Sequence, residues 1–389
     1  MASLSTCPPL TRDSVIQARQ LIRSHIHLTP VLTNKTLSRM ASTPRDPAAI
    51  GSGRTPARPI LRLWFKCENM QRTGAFKARG AFHAIKRLQQ EPGWLESGGK
   101  EKGVVGYSAG NHAQALALAA QEDGITSRIV MPTTTRPNKI AATKGYGATV
   151  VLSGPGFSGR EAVAAKIVAE TGARLVPPHD HPDVILGQAT AGLEFQEQVL
   201  EQQQQQQQQH NSIGERREGG GGGGGEKGLD AIIAPCSGGG LLSGTALSCE
   251  GTGIKVFGAE PEFEGADDGR RGFYSGARIT AHTTKTPDGV ADGLAGTVSA
   301  TPWSLIYDRG LVSGMYAVTE EEILAATRLL LERLKIWVEP SAAVPLAVAL
   351  FNEEFRGMVE REAGADGWDL GLVVSGGNID VDGMMKLFS

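Results

Sequence analysis

Short apolar runs alternate along this chain with amphipathic stretches. "KGVVGYS" (102–108), "SRIVMP" (127–132), "ATVVLSG" (148–154), "LDAIIAPCS" (229–237), "IKVFGAE" (254–260) and "DLGLVVSGG" (369–377) read as short buried strands bounded by turn formers. "HAQALALAAQEDG" (112–124) predicts a helix that stops at Gly124, and "GREAVAAKIVAETG" (159–172) one that stops at Gly172. "TEEEILAATRLLLERL" (319–334) opens on a capping box, with Thr319 as N-cap and Glu322 three residues on. Strand, helix and strand in turn predict an α/β architecture, with mostly parallel sheets covered on both faces. No internal repeat shows.

Two stretches break the pattern. Residues 41–59 are rich in Pro, Gly, Ser and Ala, and residues 201–228 hold a Gln run and a Gly run. Both lack apolar residues to bury, so both are expected to be mobile surface loops inserted between elements.

Composition narrows the function. A chain of 389 residues suggests two domains, and 40% hydrophobic residues suffice for a sizeable core. A net charge of -2 does not suit a dedicated nucleic-acid binder, and no apolar run approaches the length of a membrane span. The start "MASLSTCPPL" has no basic segment followed by an apolar one, so no secretory signal is read. Cys7, Cys67, Cys236 and Cys249 form no C-x-x-C pair, which fits a reducing compartment, the cytosol.

In open α/β sheets, ligands bind where a strand end meets a helix start. Three loops have that position. "PCSGGGLLSG" (235–244) offers converging backbone amides at a helix start, which suits a phosphate. It is neither a Walker A loop nor G-x-G-x-x-G. "YSAGNHAQ" (107–114) could hold a carboxylate on its amides, with Asn111 as a polar handle; His112 could be a base or a structural residue. "VVSGGN" (373–378) brings Ser375 to a strand end. A lysine taken alone is nearly always a solvated charge. Lys77, in "RTGAFKARGA" (72–81), accompanies two anion cradles and a strand-end serine. A Schiff-base lysine, a phosphate cradle and a partner for a pyridine nitrogen are what pyridoxal 5'-phosphate (PLP) requires.

The ordered set "AFKARGA" (75–81), "SAGNHAQ" (108–114), "GQATAGLE" (187–194), "SGGGLLSG" (237–244), "ADGL" (291–294), "EPSAA" (339–343) and "SGGN" (375–378) resembles the serine/threonine dehydratase–serine racemase family of fold-type II PLP enzymes. The resemblance implies two open, mostly parallel sheets with PLP in the cleft between a large domain (1–101 and 180–389) and a small one (102–179). It implies that Lys77 carries the cofactor and moves the α-proton, and that Phe76 packs beside the ring. Asn111 would bond the 3-hydroxyl, Ser237, Gly238, Gly239, Gly240 and Leu241 the phosphate, and Ser375 the pyridine nitrogen. Ser108, Ala109 and the amides of Gly110, Asn111 and His112 would hold the substrate carboxylate. Glu260, the Ala266 carbonyl and Asp268, in "AEPEFEGADD" (259–268), either bind Mg²⁺ or Ca²⁺ or form a solvated acidic loop.

The activity implied is β-elimination of L-serine or L-threonine to pyruvate or 2-oxobutyrate and ammonia. Ser375 agrees: a neutral hydroxyl stabilises negative charge at Cα less than a carboxylate partner would, which suits a reaction whose leaving group departs as charge develops. In serine racemases of the family a second serine follows the first in the asparagine loop and serves the opposite face of Cα. Here that position is Ala109, as in the dehydratases. Racemisation and 3-hydroxyaspartate ammonia-lyase activity stay open as alternatives, and Arg160 and His179 could approach a distal carboxylate. Three rival readings are a nicotinamide-dependent dehydrogenase, a PLP carrier without activity and a β-replacement enzyme. The first leaves Lys77 unexplained. A cytosolic homodimer acting on a small amino acid is expected. Because "SGGN" lies close to the end of the sequence, the regulatory domain of biosynthetic threonine deaminases is expected to be absent.

Overall fold

The structure is a computed structural model and describes residues 3–50, 55–154, 159–212, 228–280 and 289–389. Among the described residues ten strands form two sheets: β1 (Val31–Thr33), β2 (Leu61–Cys67), β3 (Val104–Tyr107), β4 (Ser127–Pro132), β5 (Thr149–Ser153), β6 (Arg174–Leu175), β7 (Ala231–Pro235), β8 (Lys255–Pro261), β9 (Gly314–Val318) and β10 (Trp368–Val374). The larger sheet has the order β1-β2-β10-β7-β8-β9 and the smaller β5-β4-β3-β6. Only β1 runs antiparallel to its neighbour. The expected α/β class with two mostly parallel sheets is therefore observed.

Alternation along the strands assigns each side chain to a face. Leu63, Phe65, Ile233, Leu370 and Leu372 pack under the Val344–Phe351 helix, while Trp64, Ile232 and Val373 face Phe195 and Leu242 on the other side. In the smaller sheet Ile129 and Met131 meet the Asn111–Glu122 helix, and Val105 and Val130 meet the Arg160–Thr171 helix. The Lys77–Gln89 helix adds Ala78, Phe82, Ile85 and Leu88 to the core of the smaller sheet. It also lies along the Pro182–Ser212 helix, where Gly80 and Gly187 let the two backbones meet.

Both expected loops need correction. The Gln run is helical: Pro182–Ser212 is one helix, and Gln202 and Gln203 donate to the carbonyls of Val31 and Gly228 at 3.1 and 3.4 Å. Glutamine is a good helix former, and extending a packed helix avoids a new nucleation cost. The Gly run lies outside the described residues. Within 41–59, Ala41 and Ser42 close a helix, and buried Ala57 donates its amide to Glu353 Oε2 at 2.9 Å. Residues 51–54 lie outside the described residues.

The N-terminal segment is clasped to the start of the Pro182–Ser212 helix. The Asp183 amide donates to His181 Nδ1 at 3.1 Å, which puts the neutral ring's proton on Nε2. Nε2 faces Cys7 Sγ at 3.7 Å, and the Cys7 thiol faces Asp183 Oδ2 at 3.7 Å. Burial, then the Asp183 charge, pushes that thiol up to about 12. Each facing pair thus has a proton between its atoms. Among the described residues no helix is long and apolar enough to cross a membrane.

Candidate active site

Lys77 is the first residue of its helix, and Phe76 precedes it. An isolated antiparallel bridge, Ala75 to Gly376, pins this turn to the chain beyond β10, and the Phe76 amide donates to the Ser375 carbonyl at 3.1 Å. Lys77 and Ser375 are thereby brought together although they lie 298 positions apart in the sequence. Lys77 is not a solvated charge. Its Nζ donates to the Pro178 carbonyl at 2.7 Å and lies 5.1 Å from the centre of the Phe76 ring. Desolvation takes its ammonium down to about 8.

Asn111 opens the next helix and is held from two sides. Its Nδ2 donates to Glu339 Oε1 at 2.8 Å, and its Oδ1 accepts from Asn378 Nδ2 at 2.7 Å. Asn378 also donates to the Thr73 carbonyl at 2.7 Å. This clasp fixes which end of the amide is which and leaves one N–H of Asn111 Nδ2 for an external acceptor. Burial, then the Asp292 charge, raises Glu339 to about 7. Ser108 Oγ accepts the Gly110 amide at 3.2 Å, so of the expected carboxylate cradle that amide is already engaged. The Asn111 and His112 amides, in the first turn, have no carbonyl one turn behind them. The His112 ring is buried with Nε2 3.0 Å from the Val176 carbonyl, and burial, then Lys77, lowers it to about 3. Its Nδ1 is buried without a hydrogen-bond partner. Ala109 presents only a methyl group.

The glycine loop follows β7. Gly239 caps the Gly240–Cys249 helix with φ of +89°, a conformation that favours glycine. A Cβ on Gly238 would lie 2.4 Å from the His179 ring, so that position too must stay small. Ser237 Oγ exchanges hydrogen bonds with Gly296, accepting from its amide at 3.0 Å and donating to its carbonyl at 3.2 Å. That leaves the loop's backbone, from Ser237 to the Leu241 amide, to face a ligand. Arg160 is half-buried, and burial lowers its guanidinium against the Tyr107 and Glu161 charges.

Glu260 and Asp268 are buried together, so the alternative of a solvated acidic loop fails. Glu260 Oε2 accepts the Arg270 amide at 2.8 Å, but buried Oε1 has no hydrogen-bond partner. Asp268 Oδ2 accepts the Val298 amide at 3.1 Å. Burial, then Asp268, raises Glu260 well above the usual carboxylate range. Ala266, buried, ends the turn between them.

The chain matches the family of pyridoxal-phosphate-dependent enzymes over residues 49–362. It belongs to that family. It is similar to serine racemase of Dictyostelium discoideum, 36% identical with 98% of each chain covered. It is also similar to L-threo-3-hydroxyaspartate ammonia-lyase of Saccharomyces cerevisiae, 34% identical with 97% of this chain and 96% of the other covered. Among solved structures, a threonine deaminase of T.th. matches with a TM-score of 0.69 and 33% identity, covering 95% of this chain and 99% of that one. The fold-type II resemblance is thereby confirmed, and with it PLP as cofactor. The residues present fit that group: an uncharged-capable lysine, a glycine cradle that side chains would fill, and an asparagine with one free N–H.

Glu339 and Asn378 had no role in the sequence reading, although both lie inside quoted motifs. The signal was their place next to residues already singled out. A second omission is a buried ion network around Arg79. Arg79 donates to both oxygens of Glu68 at 2.7 and 2.8 Å and to both of Glu194 at 3.0 and 2.7 Å. Lys66 Nζ donates to Glu194 Oε2 at 3.0 Å and to Gln198 Oε1 at 2.7 Å.

Proposed function

We propose that this protein eliminates the β-hydroxyl of small L-amino acids, L-serine and L-threonine first, and releases ammonia with the 2-oxo acid. L-threo-3-hydroxyaspartate is a candidate substrate of the same chemistry. Bound PLP supplies the electron sink for the pair left at Cα. Lys77, lowered to about 8 by desolvation, is the base that takes the α-proton. The first-turn amides of the 111–122 helix and Ser108 orient the carboxylate, Asn111 orients the cofactor's 3-oxygen through its free N–H, and the glycine loop holds the phosphate. The hydroxyl leaves with a proton as water. The resulting enamine tautomerises, and water releases ammonia from it.

The observation that carries the reading is Ala109. Racemisation needs an acid on the face opposite Lys77, and a methyl group has no proton to give. The similarity to a serine racemase favours racemisation as the second reading. Incubating the holoenzyme with L-serine and L-threonine and resolving products by chiral chromatography separates the two. Excess 2-oxo acid with negligible D-serine is expected; D-serine as the main product overturns the reading. Ala109→Ser should raise the racemisation-to-elimination ratio, because a placed general acid is worth roughly 10²–10⁴-fold.

We also propose a divalent cation, Mg²⁺ or Ca²⁺, at Glu260, Asp268 and the Ala266 carbonyl. The orphaned Glu260 Oε1 supports it. Chelation should lower the melting temperature and Ca²⁺ or Mg²⁺ restore it; indifference to both removes the site. The division into 1–101 with 180–389 and 102–179, and a cytosolic homodimer, complete the proposal. Sedimentation of the pure protein tests the dimer.

A further inference from the structure

His83 and His112 are buried and His179 is half-buried, and they differ in what their rings touch. His83 Nδ1 lies 2.5 Å from the Asp183 carbonyl, and His112 Nε2 lies 3.0 Å from that of Val176. His179 makes no hydrogen bond among the described residues, and neither of its ring nitrogens is a buried unpartnered atom, so the ring opens on the cleft. Its position is unusual in a second way. The preceding residue, Pro178, holds Lys77 Nζ through its carbonyl. The His179 ring itself lies flat on the glycine loop: a Cβ on Gly238 would come 2.4 Å from Cγ and Nδ1 and 2.5 Å from Cδ2. A Cβ on Gly240 would come 3.1 Å from the His179 Cβ. One dipeptide therefore touches both the catalytic lysine and the two glycines that line the anion cradle.

We propose that His179 is a ligand of the cofactor phosphate, donating a ring N–H to a phosphate oxygen. The proposal rests on the PLP reading of the site. "SGGGLLSG" contains no cation, so the cradle otherwise offers backbone amides alone. Burial, then Lys77, His112 and Arg160, lowers the imidazole to about 3. The ring is thus neutral at physiological pH and always carries one N–H. A neutral donor to a phosphate dianion makes a charge-assisted hydrogen bond without burying a further charge. No residue within the described part of the protein competes for that N–H.

The test uses His179→Phe, which keeps a flat ring but no N–H, and His179→Asn, which keeps a donor. Cofactor is stripped from the holoenzymes, and the apoenzymes are titrated with PLP and with pyridoxal, which lacks the phosphate, by visible absorption. His179→Phe should weaken PLP about 10-fold or more, the worth of a hydrogen bond to a charged group. Pyridoxal affinity should not change, His179→Asn should recover part of the loss, and the bound phosphate's ³¹P resonance should shift only in the Phe variant. Equal weakening of PLP and pyridoxal would make the ring a structural wedge and overturn the proposal. An unchanged PLP affinity with a raised KM would assign His179 to the substrate and overturn it too. A wild-type protein that takes up neither ligand sinks the PLP reading itself, which the variants alone cannot do.

Discussion

Lys77 stands in the first turn of its helix, where the aligned amides already disfavour a cation, and burial takes its ammonium down to about 8. At neutral pH roughly one lysine in ten is then uncharged at that site, against fewer than about one in a thousand for an ordinary lysine. Only the uncharged amine can attack an aldehyde or accept a proton. Cofactor capture by the apoenzyme should therefore accelerate as pH rises through about 8. Lys77→Ala should lower turnover by at least about 10⁴-fold, the upper range for a removed general base. Borohydride reduction of the loaded wild type followed by peptide mapping should find the pyridoxyl group on Lys77; a label on another lysine sinks the assignment.

The Lys77–Gln89 helix is legible in part. Its motif announced the lysine, but nothing local marks Arg79, two residues on, as a core residue. It is fully buried, and so are its partners Glu68, Glu194 and Lys66. Sequence periodicity could not show this, because burial of a charge depends on partners from β2 and the Pro182–Ser212 helix, more than 100 residues away in the case of Glu194. β2, "LRLWFKC", escaped for the same reason: Arg62 and Lys66 interrupt an apolar run whose charges are satisfied only in the fold. The glycine, asparagine and serine loops were readable because local rules place them at strand ends. Glu339 and Asn378 were not, because their contacts come from what the fold sets against them. Removing one member of a buried network strands the others. Arg79→Met leaves Lys66 as the one cation of this network facing Glu68 and Glu194, and urea unfolding should show a loss on the order of 3–5 kcal/mol. A loss under about 1 kcal/mol would mean that water or protonation relieves the pair.

At the scale of the whole molecule, the Lys77–Gln89 and Pro182–Ser212 helices join the two sheets, and two titrations act on that joint. His83, between the helices, is lowered to about 4 by burial. A folded-state value below the unfolded one means that the unfolded chain binds the extra proton, so His83 costs stability as pH falls from about 6.5 to about 4. Glu194 is pushed up by burial, but Arg79 and then Lys66 outweigh this and hold it at about 2. Its contribution is fully present above about 4.5 and is lost as pH falls through about 2. Acid should thus loosen the joint in two stages, histidine first and carboxylate second. In His83→Asn the first stage should flatten, so that its stability relative to the wild type rises between pH 7 and pH 4 while the limb below pH 4 stays. Urea midpoints of the apoenzyme across that range give the measurement. A difference between variant and wild type that does not change with pH would show that His83 titrates alike in both states and that the joint is not where acid acts.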